Sequence, residues 1–232
     1  MKLGIFGDSY ADGDTECWPQ YLSQNLNIDY NNHARSGTST FYSYKNFLEN
    51  YKQYTHIVFT YSYPTRIHSL PEKYEGLNFV KPHDTHENFM RIKGVVFIYF
   101  RFLQNDLLDS IIQQKIYDDV QDICQQNDIK LVNIIPFEPC RFDNIKFTKR
   151  KNTFSNLLGL DKISWEELMT ARPEDYDSYN YGIPDSRECH LTPENNKILA
   201  TLIADCFEQN QDRVLQPNEF NLSRKYLKKF FP

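Results

Sequence analysis

The chain has 232 residues, enough for one sizeable core and short for two ordinary domains. A net charge of -5 supplies no basic face for phosphate neutralisation, which argues against a nucleic-acid binder. No stretch approaches the roughly 20 apolar residues of a membrane span. The opening run Met1 to Asp8 is too short and too soon interrupted by an acid for a signal peptide, so a cytoplasmic setting is expected. Five cysteines, an odd number with no Cys-x-x-Cys spacing, speak against a disulfide framework or a structural zinc site.

In chain order, Leu3 to Phe6 reads as a short buried strand ending at Gly7. Trp18, Leu22 and Leu26 recur at four-residue spacing, which predicts an amphipathic helix with Pro19 in its first turn. Ile28 to Ala34 reads as a second strand, and Phe41 to Tyr51 has helical spacing. His56 to Tyr61 is β-branched and aromatic and stops before Pro64, so it is the third strand. Asn88 to Leu103 has strand composition at its centre but runs without a break into a helix carrying Leu107, Ile111, Val120 and Ile123, and it is read as helix. Ile129 to Ile135 is the next buried strand, and Ile198, Leu199, Leu202 and Ile203 mark a last helix starting near Pro193.

Strands alternating with helices imply right-handed crossovers and a mostly parallel sheet covered on both faces, a three-layer α/β/α sandwich. Residues 1–212 form the expected single domain, with 67–103 and 137–189 as long, partly helical insertions near the site and 213–232 as a C-terminal tail. The tail mixes charged with apolar residues, which suits packing or contact with a second copy of the chain. Ligands in such sheets bind at the carboxyl ends of the strands. The loops at Ser9, at Gly37, at Tyr61 to Arg66 and after Pro136 all emerge at that edge.

Gly7-Asp8-Ser9 stands where the first strand turns toward the first helix. A serine there either presents its hydroxyl beside a helix N-terminus or simply caps it. His190, in Cys189-His190-Leu191-Thr192-Pro193, sits just before the last helix, where a neutral imidazole could take a proton from Ser9. Alone, each has an ordinary structural reading. His83-Asp84-x-His86-Glu87 has metal-ligand residue types but no periodicity beneath it, so no metal is expected there; Cys189 reads as a buried thiol.

Three blocks occur in one order: Gly7-Asp8-Ser9, then Asn32-His33-Ala34-Arg35-Ser36-Gly37, then His190-Leu191-Thr192. In order and context they resemble the SGNH (GDSL-type) hydrolases over about residues 2 to 206. The resemblance implies a flavodoxin-like fold, Ser9 as nucleophile, Gly37 as a backbone donor of the oxyanion hole beside Ser9, and His190 as base, with no cofactor. Two departures stand out. The family's Gly-x-Asn-Asp block after the third strand is replaced by Thr60-Tyr61-Ser62-Tyr63-Pro64-Thr65-Arg66, so the asparagine donor is missing; Ser62 is the preferred substitute and Arg66 another. The family's Asp-x-x-His becomes Arg187-Glu188-Cys189-His190, leaving Asp185, Glu188 or a backbone carbonyl to orient the imidazole, with Asp185 preferred.

The resulting expectation is a serine esterase acting through an acyl-enzyme on a small-molecule or glycan ester, with O-acetyl groups on carbohydrate as the first guess. Asp8, Tyr61, Tyr63 and Arg66 are expected substrate contacts, joined by other aromatic loop residues such as Phe137, Phe142 and Tyr176. The alternatives are a binding or structural module that has lost the chemistry, motivated by the missing asparagine, and an acyltransferase.

Overall fold

The computed structural model describes residues 1–13, 16–62, 98, 102, 105–135, 155–160, 191, 193–209, 213–215 and 219–220. Six strands form one sheet: β1 (Lys2–Phe6), β2 (Asp29–Asn32), β3 (His56–Thr60), β4 (Lys130–Ile135), β5 (Ser155–Leu160) and β6 (Arg213–Leu215). Among the described residues, the α-helices that accompany them are α1 (Trp18–Leu26), α2 (Thr40–Asn50), α3 (Asp106–Gln126) and α4 (Pro193–Gln209). The strand order is β2-β1-β3-β4-β5-β6, and every neighbouring pair is parallel. The chain is therefore an α/β fold of flavodoxin-like order, with its topological switch point between β1 and β3.

Alternation along the strands divides the core in two. Leu3, Ile5, Val58, Val132 and Ile134 face α1 and α4, while Phe6, Ile57, Phe59, Leu131 and Ile135 face α2 and α3. Both faces are covered, which is why the central strands read as continuous apolar runs. No helix among the described residues is long and apolar enough to cross a membrane.

Two strands depart from the sequence reading. β5 falls inside 137–189, expected as a partly helical insertion, and β6 falls inside 213–232, expected as a tail. β5 pairs with β4, and β6 extends the sheet from β5, so residues 213–215 belong to the sheet rather than to an appendage. Of the ambiguous stretch before α3, only Ile98, in a helical turn, and Phe102 are described, and both are exposed.

The amino ends of α1 and α4 are joined by one side chain. Cys17 precedes α1 in an extended conformation and offers no side-chain cap. The first helical N–H, that of Trp18, donates instead to Asn196 Oδ1 at 3.0 Å, and Asn196 Nδ2 donates to the Leu191 carbonyl at 3.1 Å. Trp18 Nε1 in turn donates to the Tyr10 carbonyl at 2.7 Å. Asn196 thus caps α1 from another helix and ties the segment before α4 to the loop after β1. Trp18 itself is fully buried in the same cluster as Tyr10 and Leu191.

Removing this side chain leaves buried backbone groups without partners. Asn196→Ala should cost about 1–3 kcal/mol for each of the two groups orphaned, read as a lower urea midpoint at unchanged m-value. A loss below about 0.5 kcal/mol would show that the bridge is dispensable.

Two imidazoles add a pH dependence. His33 stacks on Phe6, and His56 lies edge-on to Phe207. Burial is the main cause holding both below their ordinary value of 6.5, with Lys2 adding to it at His33, and Lys130 and the amino terminus at His56. The unfolded chain therefore takes up these protons first as pH falls. The stability they contribute is whole above the ordinary value and is lost as pH drops through it toward the folded-state values. Melting temperature should fall between about pH 7.5 and pH 5, and the fall should be shallower in His56→Gln. Parallel wild-type and variant curves would refute the assignment to His56.

Candidate active site at the carboxyl edge of the sheet

The loop after β1 begins with Gly7, because nothing larger fits. A Cβ there would lie 2.9 Å from Thr60 Cβ and 3.1 Å from Ala11 Cβ. The next residues close a single turn rather than opening the first helix: Ala11 N–H and Asp12 N–H both donate to the Asp8 carbonyl, at 2.9 and 3.0 Å. α1 starts only at Trp18, so Ser9 stands on this short turn and not at the start of α1. Asp8 is fully buried, and its carboxylate accepts from Tyr10 N–H at 3.2 Å. Asp8, expected as a substrate contact, shapes the turn through this bond. The capping is done by Asp8, and Ser9 is left half-buried, its hydroxyl engaged by no hydrogen bond among the described residues.

The serine turn is bonded to the loop after β2. Asn32 at the end of β2 donates from Nδ2 to the Ala11 carbonyl at 2.7 Å. Ser36 N–H donates to Asp12 Oδ2 at 2.6 Å, and Arg35 N–H donates to the Gly7 carbonyl at 3.1 Å. Gly37 follows with a φ of 79°, a left-handed conformation that favours glycine. Thr38 then closes the loop, its N–H and its hydroxyl both donating to the Arg35 carbonyl, at 3.3 and 2.6 Å. Ser39 caps α2, its hydroxyl accepting from Tyr42 N–H.

The loop after β3 is tied in by Ser62, which is 1% exposed. Its Oγ donates to the Thr38 carbonyl at 3.0 Å, and its N–H donates to Thr40 Oγ1 at 3.0 Å. From α3, the buried Gln113 donates through Nε2 to the Ser62 carbonyl at 3.0 Å and to Thr40 Oγ1 at 3.3 Å. A hydroxyl carries one proton, and that of Ser62 is given to Thr38. Ser62, expected as an oxyanion donor, fastens the Gly37 loop through this bond.

Tyr61 also changes role. It is 3% exposed, packs with Phe59 and Tyr117 in the α2–α3 core, and its hydroxyl donates to Asn133 Oδ1 at 3.2 Å. Burial pushes its phenol well above the ordinary tyrosine range. It supports the end of β3. The alternation Ile57, Phe59, Tyr61 carried this signal, since every second residue of a strand shares one face.

The structure therefore brings together Ser9, Asp8, Gly37 and Ser62 at the switch-point edge, and leaves Tyr61 beneath it. His190, Asp185, Glu188, Tyr63 and Arg66 lie outside the described residues, as do His83 to Glu87 and Cys189. Leu191, the chain neighbour of His190, is described and buried. Asn32, Asp12, Thr40, Gln113 and Asn196 build the site's frame and were not foreseen from the sequence. For Gln113 and Asn196 the available signal was a polar residue standing on an otherwise apolar helical stripe. Among the described residues no group of three or more His, Cys, Asp or Glu could hold a metal ion.

No family model matches the sequence, and no curated protein matches it. Among solved structures, the chain is similar to a provisionally named lipolytic protein of the G-D-S-L family from Desulfitobacterium hafniense DCB-2, at 14% identity and a TM-score of 0.34. That match covers 59% of this chain and 61% of the other, less than two thirds of its length. The chain is also similar to a provisionally named acylhydrolase from Bacteroides fragilis NCTC 9343, at 10% identity and a TM-score of 0.36, over 97% of this chain and 74% of that one. Likeness at these scores carries no argument about activity, and the fold class rests on the parallel sheet and its strand order.

Proposed function

We propose that the chain is a serine hydrolase of ester bonds, of the SGNH type, with Ser9 as nucleophile and His190 as base. The observation that carries the reading is the hydrogen-bonded path between the two chain segments. Leu191, adjacent to His190, is bonded to Asn196; Asn196 is bonded to Trp18; and Trp18 is bonded to Tyr10, adjacent to Ser9. Tyr10 and Leu191 are thereby joined at one edge of the sheet, the edge where open parallel sheets bind ligands.

In this mechanism the Ser9 hydroxyl attacks the acyl carbon as His190 accepts its proton. The backbone N–H groups of Ser9 and Gly37 receive the oxyanion of the tetrahedral intermediate. The imidazolium returns the proton to the departing alcohol, leaving an acyl group on Ser9. Water then attacks that ester with His190 again as base, and the carboxylic acid is released. Asp185 orients the imidazole, a role that Glu188 or a backbone carbonyl could also fill. The aromatic residues of the loops, Tyr63 and Phe142 among them, favour a flat or sugar-like substrate, and an O-acetylated carbohydrate is the leading candidate.

A second reading has its own observation. With the asparagine absent and the Ser62 proton committed to Thr38, only backbone donors remain on the described part of the oxyanion site. A fold that has kept its binding edge and lost turnover would look the same.

A fluorophosphonate probe separates the two. Wild-type protein should be labelled at Ser9, and Ser9→Ala should lose both labelling and p-nitrophenyl acetate turnover. Its melting temperature should hold, because Asp8 and not Ser9 shapes the turn. His190→Ala should slow labelling by roughly 10²–10⁴-fold, the range for a general base. A folded wild-type protein that the probe leaves unlabelled would support the binding module instead.

A further inference from the structure

We infer that Gln113 is a positioning residue for the oxyanion-binding loop, acting through Thr40, Ser62 and Thr38 on Gly37; the inference rests on the esterase reading above. Glycine in a left-handed conformation has no side chain to hold it, and its N–H is only as fixed as its neighbours make it. Electrostatic stabilisation of an oxyanion requires donors already in place before charge develops. Something outside the loop must therefore immobilise it.

Gln113, Thr40 and Ser62 make a closed ring of buried polar groups. They are 2%, 0% and 1% exposed. Gln113 Nε2 has two protons, and both are used: one on the Ser62 carbonyl at 3.0 Å, the other on Thr40 Oγ1 at 3.3 Å. Thr40 Oγ1 also accepts from Ser62 N–H at 3.0 Å and turns its own proton toward the Ser62 carbonyl at 3.4 Å. The remaining donor, Ser62 Oγ, reaches out of the ring to the Thr38 carbonyl at 3.0 Å. The ring thus joins three elements: the first residue of α2, the end of β3 and the buried face of α3. Among the described residues, its outward side-chain bond lands on the residue next to Gly37. Where the resembled family offers an asparagine proton to the substrate, this chain uses the same loop to fix a backbone donor.

The loop's other anchors are weaker substitutes for this hold. Ser36 N–H on Asp12 is exposed, Arg35 N–H bonds to the Gly7 carbonyl at the end of β1, and the N–H and hydroxyl of Thr38 turn back to Arg35 within the loop. None of these connects the loop to α3, as Gln113 does through Ser62.

The test uses full-length protein and p-nitrophenyl acetate, with phenylboronic acid as a tetrahedral mimic of the intermediate. Gln113→Met keeps the length and bulk of the side chain and removes its donors. It should lower kcat by roughly 10–100-fold, the cost of a misplaced catalytic group, with KM unchanged and boronate affinity falling in step with kcat. Ser62→Ala should act in the same direction, and the double variant should be no worse than the more severe single one, since both release one loop. Ile116→Val, on the same buried face of α3, loosens packing without touching the ring and should leave kcat at the wild-type value. Equal kcat in Gln113→Met and a probe-labelled wild type would overturn the inference alone. An equal loss of kcat in Ile116→Val would reduce Gln113 to a packing residue and overturn it as well. A wild type that the fluorophosphonate probe does not label removes the esterase reading and the inference with it.

Discussion

Asn196 is the side chain on which the arrangement depends. In a parallel sheet the helices run against the strands, so their amino ends gather at the carboxyl edge. α1 enters there without a cap of its own, because Cys17 cannot accept a hydrogen bond well enough to replace the missing turn. Asn196, from the first turn of α4, fills that place and takes hold of the Leu191 carbonyl with its other end. A single amide therefore satisfies two backbone groups that would otherwise be buried alone, and in doing so it ties the start of α1 to the segment before α4. Replacing Asn196 by an apolar residue would break both bonds together.

The strand order gives that contact its meaning. From β1 the chain steps outward to β2, then crosses back to β3 on the other side. Open parallel sheets bind ligands where the strand order reverses. The serine turn leaves β1 at that point, the Gly37 loop is bonded to it through Arg35 and Ser36, and Ser62 after β3 bonds to Thr38.

Apolar periodicity made the frame legible. β1, β3 and β4 are buried on both faces and show it as unbroken apolar runs, and the α1 and α4 stripes matched their helices closely. β5, with the sequence Ser-Asn-Leu-Leu-Gly-Leu, has no β-branched residue and contains a glycine, and β6 spans three residues. Neither carries a pattern that local propensity can distinguish from a loop; only pairing with an existing sheet edge makes them strands. At the site, the positions of Ser9 and Gly37 followed from the motif and from the strands before them. The roles of Asp8, Tyr61 and Ser62 did not, because each depends on which face its side chain takes. Tyr61 continues the inward alternation of β3, and Ser62 meets a carbonyl from a loop that sequence distance hides.

The buried polar residues follow a rule of their own. Thr40 is the first residue of α2, Asn196 lies in the first turn of α4, and Asp109 and Gln113 come early in α3. Farther along the same helices the buried positions include Phe47, Leu199, Leu202, Ile203 and Phe207, and Val120 with Cys124. Gln121 is the exception. The gradient has a physical cause. At the carboxyl edge the helices begin with unsatisfied N–H groups and the loops expose carbonyls, so the packing there must supply polar partners. Deeper between sheet and helix the backbone is satisfied by its own ladders, and apolar side chains pack without penalty. A polar residue on an apolar helical stripe, close to the helix start, therefore points to the edge where loops converge. In this chain it points to the same edge as the Gly-Asp-Ser motif, from positions that share no motif with it.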